Sequence, residues 1–347
     1  MSEIKFALFA DLHYKKRMYA SNISDIESII QRAVDENVSL IIHEGDLCND
    51  YKGSPELTNV INGCPIKFFG VYGNHELETM GNTMTSVTPH LTNSADDVTW
   101  GTVDGKIGDG CCAYYYYDFG EFRFIFLDTN YSLTKDGEFE HNREGSWGCP
   151  SENTRQNSLG DVQLKWLEDV LTDSAKQKKH CIINAHDSFS GVWSSSPDSI
   201  PVRELYSKAN SAEKGTVLMS INGHYHRNRS AVVDDVFYLD VNTTINGCWK
   251  GVKFYPYGTK DEPKDGCTFD FTDYDSNGNA VSTTKMPLSQ LTMGEQTLAF
   301  ASPLSAIVTL SSDGSVKVNG THTNWIYGII GTELGDGIMP EISDFTK

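Results

Sequence analysis

Long apolar runs are absent from this sequence. No stretch of 18 apolar residues occurs among its 347 residues, so the sequence predicts no membrane-spanning helix. The N-terminus also lacks a basic stretch followed by an apolar segment, which argues against a secretory leader. We therefore favour a cytoplasmic location, and secretion after removal of a leader that preceded residue 1 stays an open alternative.

Positive charge and paired cysteines are scarce as well. The 28 Lys and Arg against 47 Asp and Glu give a net charge of -19. Such a surface repels the backbone of nucleic acids, so nucleic acid is not expected as a partner. The eight cysteines include no Cys-x-x-Cys pair and are too sparse for a disulfide scaffold. For Cys48 we favour a packed thiol over a position close to a metal ion.

The sequence does contain five short apolar runs that each end in residues able to bind metal ions. These are 4–10 before Asp11-Leu12-His13, 38–42 before Gly45-Asp46, 66–72 before Gly73-Asn74-His75-Glu76, 181–185 before His186, and 217–221 before Gly223-His224-Tyr225-His226. Buried strands that deliver ligands from the same end bring those ligands together in one crevice. One such block is weak evidence for a site, whereas five in order are strong evidence.

The order Asp-x-His, Gly-Asp, Gly-Asn-His-Glu, His, Gly-His-x-His over residues 4–240 resembles the calcineurin-like metallophosphoesterase superfamily. The resemblance implies an α/β fold, a four-layer α/β/β/α sandwich of two mixed β-sheets flanked by helices. It also implies a metal-dependent phosphoric ester hydrolase, either a phosphodiesterase or a phosphatase, that acts on a small phosphoester.

The resemblance assigns the metal ligands residue by residue. One ion would be held by Asp11, His13 and His226, the other by Asn74, His186 and His224, and Asp46 would bridge the two. Carboxylate, imidazole and amide oxygen suit hard or borderline divalent ions. The implied cofactors are two divalent or mixed-valence transition metal ions, drawn from Mn, Fe, Zn and Ni.

Two further residues of the third block have implied roles outside the metal ligands. A hydroxide that bridges the ions would attack phosphorus in line with the leaving group. His75 would be the general acid that protonates the departing alkoxide. Glu76 would orient the imidazole of a histidine without itself binding a metal ion.

The surroundings of the motifs narrow the substrate. Tyr72 and the segment 47–50 lack the arginines that protein serine/threonine phosphatases carry there, and Asn49 stands where purple acid phosphatases have a tyrosine ligand. No arginine within a motif is placed to bind a dianionic monoester, so we favour a small phosphodiester. A phosphomonoesterase stays open because Arg143, Arg155 or Arg203 could reach the site from loops. A non-catalytic metal-binding scaffold is the third hypothesis.

The rest of the chain supplies helices between the runs and a different pattern at the end. Helical periodicity covers 21–37, where Ser24 and Glu27 form a candidate capping box, and recurs at 54–62, 161–172 and 201–212. Turn signals between alternating segments, such as 312–314, predict hairpins near the C-terminus. We predict a metallophosphoesterase domain over 1–283 and a small β-rich appendage over 284–347. The sequence does not indicate the oligomeric state.

Overall fold

A computed structural model gives the architecture of the chain. It describes residues 2–14, 21–51, 53–76, 91–101, 114–141, 155–193, 196–248, 255–256, 268–274, 280–287, 297–299, 302–323, 329–330 and 341–347. Most of the loop around the third motif and the positions of His90 and Arg143 lie outside these residues, as do the side chains of His141 and Arg155. Within the described ranges, none of the helices has the length and apolar character needed to cross a membrane.

The apolar runs form short strands, and helices follow several of them. The strands are β1 (Glu3–Phe9), β2 (Leu40–His43), β3 (Lys67–Gly70), β4 (Thr99–Trp100), β5 (Tyr115–Phe119), β6 (Phe122–Leu127), β7 (Tyr131–Leu133), β8 (Phe139–His141), β9 (Arg155–Ser158), β10 (His180–Ala185), β11 (Val217–Asn222), β12 (Arg229–Val233), β13 (Val236–Asp240), β14 (Asn246–Cys248), β15 (Tyr255–Pro256), β16 (Thr268–Tyr274), β17 (Ala280–Pro287), β18 (Thr297–Ala299), β19 (Ala306–Ser311), β20 (Val316–Gly320), β21 (Ile329–Ile330) and β22 (Phe345–Thr346). The helices are α1 (Ile23–Asp35), α2 (Pro55–Asn62), α3 (Gly160–Gln177) and α4 (Ser199–Ala212), with a 3₁₀ turn at Ala95–Asp97.

Two mixed sheets form the centre of the molecule. The first has the order β22-β20-β19-β1-β2-β3, with β1, β2 and β3 parallel. The second has the order β12-β13-β11-β10-β6-β5-β4, with β6, β10, β11 and β13 parallel. The ligand-bearing loops follow β1, β2 and β3 in the first sheet and β10 and β11 in the second. Parallel pairing therefore places those loops at the carboxyl edge of each sheet.

The core lies between the sheets, and helices cover their outer faces. Phe6 of β1 meets Phe124 of β6 edge to face, with ring centroids 5.5 Å apart, and Phe69 stacks on Tyr117 at 4.7 Å. Buried side chains of α1 and α2 complete this core. A second cluster joins α3 and α4 to β10, β11 and β13. The predicted four-layer α/β/β/α architecture is therefore confirmed.

The cap of α1 differs from the predicted one. Asn22, not Ser24, is the N-cap: its side chain accepts from the Ser24 amide, and Asp25 accepts from the Asn22 amide in return. Asparagine and aspartate satisfy the same exposed amides as serine and glutamate do. The observed N-cap therefore lies two residues before the predicted capping residue, and the helix begins at Ile23.

The C-terminal region contributes to the first sheet. β19 pairs antiparallel with β1 through six register positions from Glu3 to Leu8, and β20 and β22 extend the sheet beyond it. Residues 306–311, 316–320 and 345–346 of the predicted appendage therefore form strands of the first sheet. An alternating pattern predicts a hairpin but does not indicate which strand it joins. The boundary at residue 284 stays a prediction.

Candidate metal centre

The loops after β1 and β2 are tied together by their backbones. The amide of Asp11 donates to the carbonyl of Gly45 at 3.0 Å, and that of His13 donates to the carbonyl of Asp46 at 2.8 Å. The amide of His75, from the loop after β3, donates to Asp46 Oδ1 at 2.8 Å. These bonds fix three of the motifs against one another before any ion is bound.

Glycine is required where these loops cross. A Cβ at Gly73 would collide with the carboxylate of Asp46. Gly45 has a φ of 91°, and a Cβ there would collide with the imidazole of His186. The close approach of backbone to ligand explains why both motifs carry glycine.

The first group of donors contains Asp11, His13 and His226. The Nε2 atoms of His13 and His226 lie 3.1 Å apart, and His226 Nε2 lies 3.3 Å from Asp11 Oδ1. Two imidazole nitrogens can face each other only if at least one of them presents its lone pair. This arrangement suits a cation that accepts both lone pairs and the carboxylate.

The second group contains Asn74, His186 and His224. Asn74 Oδ1 lies 3.2 Å from His186 Nε2 and 3.1 Å from His224 Nδ1, and these two nitrogens are 3.3 Å apart. On its other side, His186 Nδ1 faces the carbonyl of Glu44 at 2.7 Å. A carbonyl only accepts, so Nδ1 carries a proton, and Nε2 is the nitrogen whose lone pair a metal ion would take.

Asp46 lies between the two groups. Its Oδ2 is 3.3 Å from His186 Nε2 and 3.7 Å from His13 Nε2. Burial opposes ionisation of this carboxyl, but His186, His75 and His13 hold its pKa well below the ordinary value. An ionised carboxylate that faces both donor groups is placed to contact two ions at once.

The backbone is strained at these positions. Asp11, His13, Asp46, His224 and His226 have φ angles of 50° to 70°. Non-glycine residues adopt this left-handed region rarely, at a cost of about 1–3 kcal/mol each, and they cluster at functional sites. The fold thus maintains unfavourable backbone conformations where the donors converge.

The donors fit a pair of divalent transition metal ions. Among the described residues, three overlapping sets have donor atoms within 4.8 Å of one another: Asp11, His13 and His226; His13, Asp46 and His75; Asp11, Asp46 and His186. Nitrogen and oxygen donors without thiolate suit hard and borderline ions. Cys48 donates its thiol to Ser54 Oγ at 3.5 Å and is fully buried, and burial raises its pKa to about 12. This thiol is packed under the loop.

His75 lies beside Asp46 at the edge of the donor groups. Its Nε2 is 3.8 Å from Asp46 Oδ2, and its ring meets the ring of His13 edge to face at 4.9 Å. It belongs to one of the three donor sets, so the geometry is compatible with a ligand as well as with a proton donor. Metal content of a His75 variant separates the two roles.

Glu76 anchors the loop of Asp46. Its buried carboxylate accepts from the amides of Asp46 at 2.9 Å, Leu47 at 2.7 Å and Gly73 at 2.5 Å, and from the Tyr51 hydroxyl at 3.0 Å. Burial, and then the charge of Asp46, raise its pKa to about 7. The sequence indicated an orienting role toward an imidazole, which stays a prediction. It did not indicate this support of the bridging carboxylate.

Asp187 is a site residue that the motifs did not single out. Its Oδ1 lies 3.7 Å from His224 Nε2, the nitrogen opposite the one that faces Asn74. Thr129 donates to Asp187 Oδ2 at 2.8 Å, and Asn157 donates to Oδ1 at 3.1 Å. A buried carboxylate held in this way favours a proton on Nε2 and a lone pair on Nδ1. Its place directly after His186 was the available signal.

We expect Asp187→Asn to weaken metal binding by about 10- to 100-fold, because the charge facing His224 Nε2 is lost. Competition with a chromophoric chelator measures the affinity. Asp169→Asn, which removes an exposed carboxylate on α3, is the control and should bind both ions as the parent does. Unchanged affinity of Asp187→Asn for both ions would contradict the role.

Comparison with known proteins identifies a family and a shared fold. Residues 4–228 match the family model of calcineurin-like phosphoesterases. A dimetal phosphatase from Danio rerio is 15% identical with a TM-score of 0.55, covering 93% of this chain and 98% of its own. GAP50, the anchor in the inner membrane complex of Plasmodium, is 14% identical with a TM-score of 0.43, and the match covers 100% of this chain and 88% of GAP50. Phosphopantetheinyl hydrolase from Mycobacterium tuberculosis is 14% identical with a TM-score of 0.33, and the match covers 70% of this chain and 90% of the hydrolase.

No curated protein matches the chain. At 15% identity, the zebrafish enzyme shows a shared fold. The family match extends over more than half of the 347 residues and includes all five motif blocks up to His226. It confirms the resemblance seen in the order of the motifs, so the chain belongs to the calcineurin-like phosphoesterase family and is a metal-dependent phosphoric ester hydrolase.

Proposed function

We propose that the protein hydrolyses a small phosphodiester at a dinuclear metal centre. The observation that carries the proposal is the position of Asp46 Oδ2, which faces His13 of one donor group and His186 of the other. A shared carboxylate between two donor groups is what a pair of closely spaced ions needs. When bound, such ions lower the pKa of a water molecule and stabilise charge on phosphoryl oxygens.

The residues of the chain then have distinct tasks. Asp11, His13 and His226 hold one ion, Asn74, His186 and His224 hold the other, and Asp46 is shared. Glu76 keeps the loop of Asp46 in place through its bonds to three backbone amides. His75 donates a proton from Nε2 to the leaving oxygen, and its position beside Asp46 supports this role.

The preference for a diester is supported by the pairing of Arg203. This arginine is engaged with Asp234 at 2.8 Å. A dianionic monoester needs one more cation than a monoanionic diester, and Arg203 is already paired with a carboxylate. A phosphomonoesterase is the alternative, and it requires an arginine to turn toward the phosphoryl group.

Turnover of two chromogenic substrates tests the function. We expect chelator-treated protein to be inactive and reconstitution with Mn²⁺, Zn²⁺, Ni²⁺ or Fe²⁺ to restore hydrolysis. Bis(p-nitrophenyl) phosphate should be cleaved with a higher kcat/KM than p-nitrophenyl phosphate. The reverse ratio would favour the monoesterase. Protein that binds two ions per chain and cleaves neither substrate would instead be a metal-binding scaffold.

A further inference from the structure

A cation flanked by two aromatic rings lies next to the candidate metal centre. The guanidinium of Arg229, at the start of β12, is 4.8 Å from the ring centroid of Tyr225 and 5.1 Å from that of Trp193. Both distances are in the range of cation–π contacts. No motif drew attention to Arg229 or Trp193, because the three residues come together only in the folded chain.

Arg229 is held in one orientation by a buried carboxylate. Its Nε donates to Asp240 Oδ2 at 2.7 Å, and its Nη2 contacts the same oxygen. Asp240 is fully buried, and Asn222 donates to its other oxygen at 2.8 Å. Because a guanidinium is planar and rigid, this pairing leaves Nη1 on the edge away from Asp240. Among the residues that the structure describes, Nη1 has no hydrogen-bond partner.

The cluster lies on the open side of the centre. His13 and His186 are almost completely buried, at 1% and 0% side-chain exposure, whereas His224 is 27% exposed. Tyr225 follows His224 directly, and the two rings meet edge to face at 5.3 Å. Arg229, at 33% exposure, packs against the ring of Tyr225. Tyr225 therefore links the partly exposed donor His224 to Arg229.

The chemistry of the cluster selects one kind of substrate group. Nη1 offers in-plane N–H donors and positive charge to an anionic oxygen, and the two rings limit the water that competes for it. The chain carries 28 Lys and Arg against 47 Asp and Glu, so a cation beside the centre offers an anionic group a local attraction on a surface of net charge -19.

We propose that Trp193, Tyr225 and Arg229 form a specificity subsite for a phosphoester whose organic group carries a second anionic group, such as a carboxylate or another phosphate. This inference rests on the proposed function, because it assumes that the phosphoryl group of the substrate is bound at the metal centre. Arg229 acts on the distal end of the substrate and takes no part in the bond that breaks.

Binding of two phosphonates tests the subsite without turnover. 3-Phosphonopropanoate and propylphosphonate differ in the terminal carboxylate, and neither is hydrolysed. We expect metal-loaded protein to bind 3-phosphonopropanoate at least about tenfold more tightly in isothermal titration calorimetry, since charge-assisted hydrogen bonds are the strong ones. Arg229→Gln should remove this preference. Arg203→Gln is the matched control, because Arg203 pairs with the exposed Asp234 and should leave the preference unchanged.

A second variant distinguishes loss of the subsite from a folding defect. Arg229→Gln leaves Asp240 buried without its cation, so thermal unfolding is measured in parallel. Arg229→Gln/Asp240→Asn replaces the ion pair by a neutral amide pair, keeps a hydrogen bond between β12 and β13, and should also lack the preference. In either variant, metal content should remain that of the parent.

The outcomes separate the inference from the proposed function. Equal binding of the two phosphonates by the parent protein, no binding of either, or a preference that survives in both Arg229 variants overturns the subsite. Failure to hydrolyse both bis(p-nitrophenyl) phosphate and p-nitrophenyl phosphate overturns the proposed function, and the phosphonate titration still reports on Arg229. Hydrolysis without any phosphonate preference leaves the function in place and rejects the subsite alone.

Discussion

Replacing Asp46 by asparagine is expected to abolish hydrolysis and to reduce metal content from two ions per chain to one or none. The variant keeps the shape of the side chain and the Oδ1 that accepts from the His75 amide. It loses the negative charge that faces both donor groups. Loss of several kcal/mol of charge stabilisation corresponds to at least about a thousandfold lower turnover. Mass spectrometry of bound metal and kcat on the better chromogenic ester measure the two effects.

A neighbouring carboxylate provides the control for this variant. Asp50 lies in the same loop, and its Oδ1 accepts from the amide of Gly53 at 2.9 Å, a bond that asparagine retains. Asp50→Asn should therefore keep both ions and full turnover. If Asp46→Asn also retained two ions and turned over substrate at nearly the parental rate, Asp46 would not be the shared ligand.

The first half of the fold could be predicted from the sequence because local and long-range signals agree there. Continuous apolar runs such as 38–42 read as buried parallel strands, and the helical period between them requires a crossover on one face. β1, α1 and β2 follow this pattern, with β2 pairing parallel to β1 from Leu40 to His43. Parallel strands end at the same edge of a sheet, so the polar residues that follow these strands were expected to lie close together.

The sheet that the C-terminal strands join could not be predicted in this way. The alternation in 306–318 predicts a hairpin, and β19 and β20 form one. Its partner is β1, some 300 residues away, because β1 has an edge that β2 does not occupy and apolar side chains on both faces. Local alternation indicates that a strand has a buried face and leaves open which sheet buries it.

The candidate site also contains residues that could be predicted from the sequence and residues that could not. Residues such as Asp46 and His186 could be identified from the sequence because each follows an apolar run. Such a run predicts a strand, so the position of the residue in the chain indicates its position in the fold. Asp187 faces His224, which follows a different strand of the second sheet, so this contact depends on how two loops bend toward each other. Arg229 and Asp240 are cross-strand partners in the β12–β13 hairpin, and the two residues by themselves do not reveal that register. Periodicity within either segment does not contain that information.

Replacing His75 by alanine is expected to lower turnover by about a hundredfold to ten-thousandfold, the usual range for loss of a general acid. Both ions should remain bound, because the two groups of three donors and Asp46 are intact. The matched control is His180→Gln, which alters a histidine whose Nδ1 contacts the carbonyl of Gly215 at 2.7 Å, outside the donor sets. Its turnover and metal content should equal those of the parent.

The leaving group decides whether His75 acts as an acid. p-Nitrophenolate departs as a stable anion and needs little protonation, whereas phenolate is a stronger base and gains more from a proton donor. The loss caused by His75→Ala should therefore be larger for diphenyl phosphate than for bis(p-nitrophenyl) phosphate. Equal losses for both esters, together with the loss of one ion per chain, would instead make His75 a metal ligand, in the donor set that it shares with His13 and Asp46.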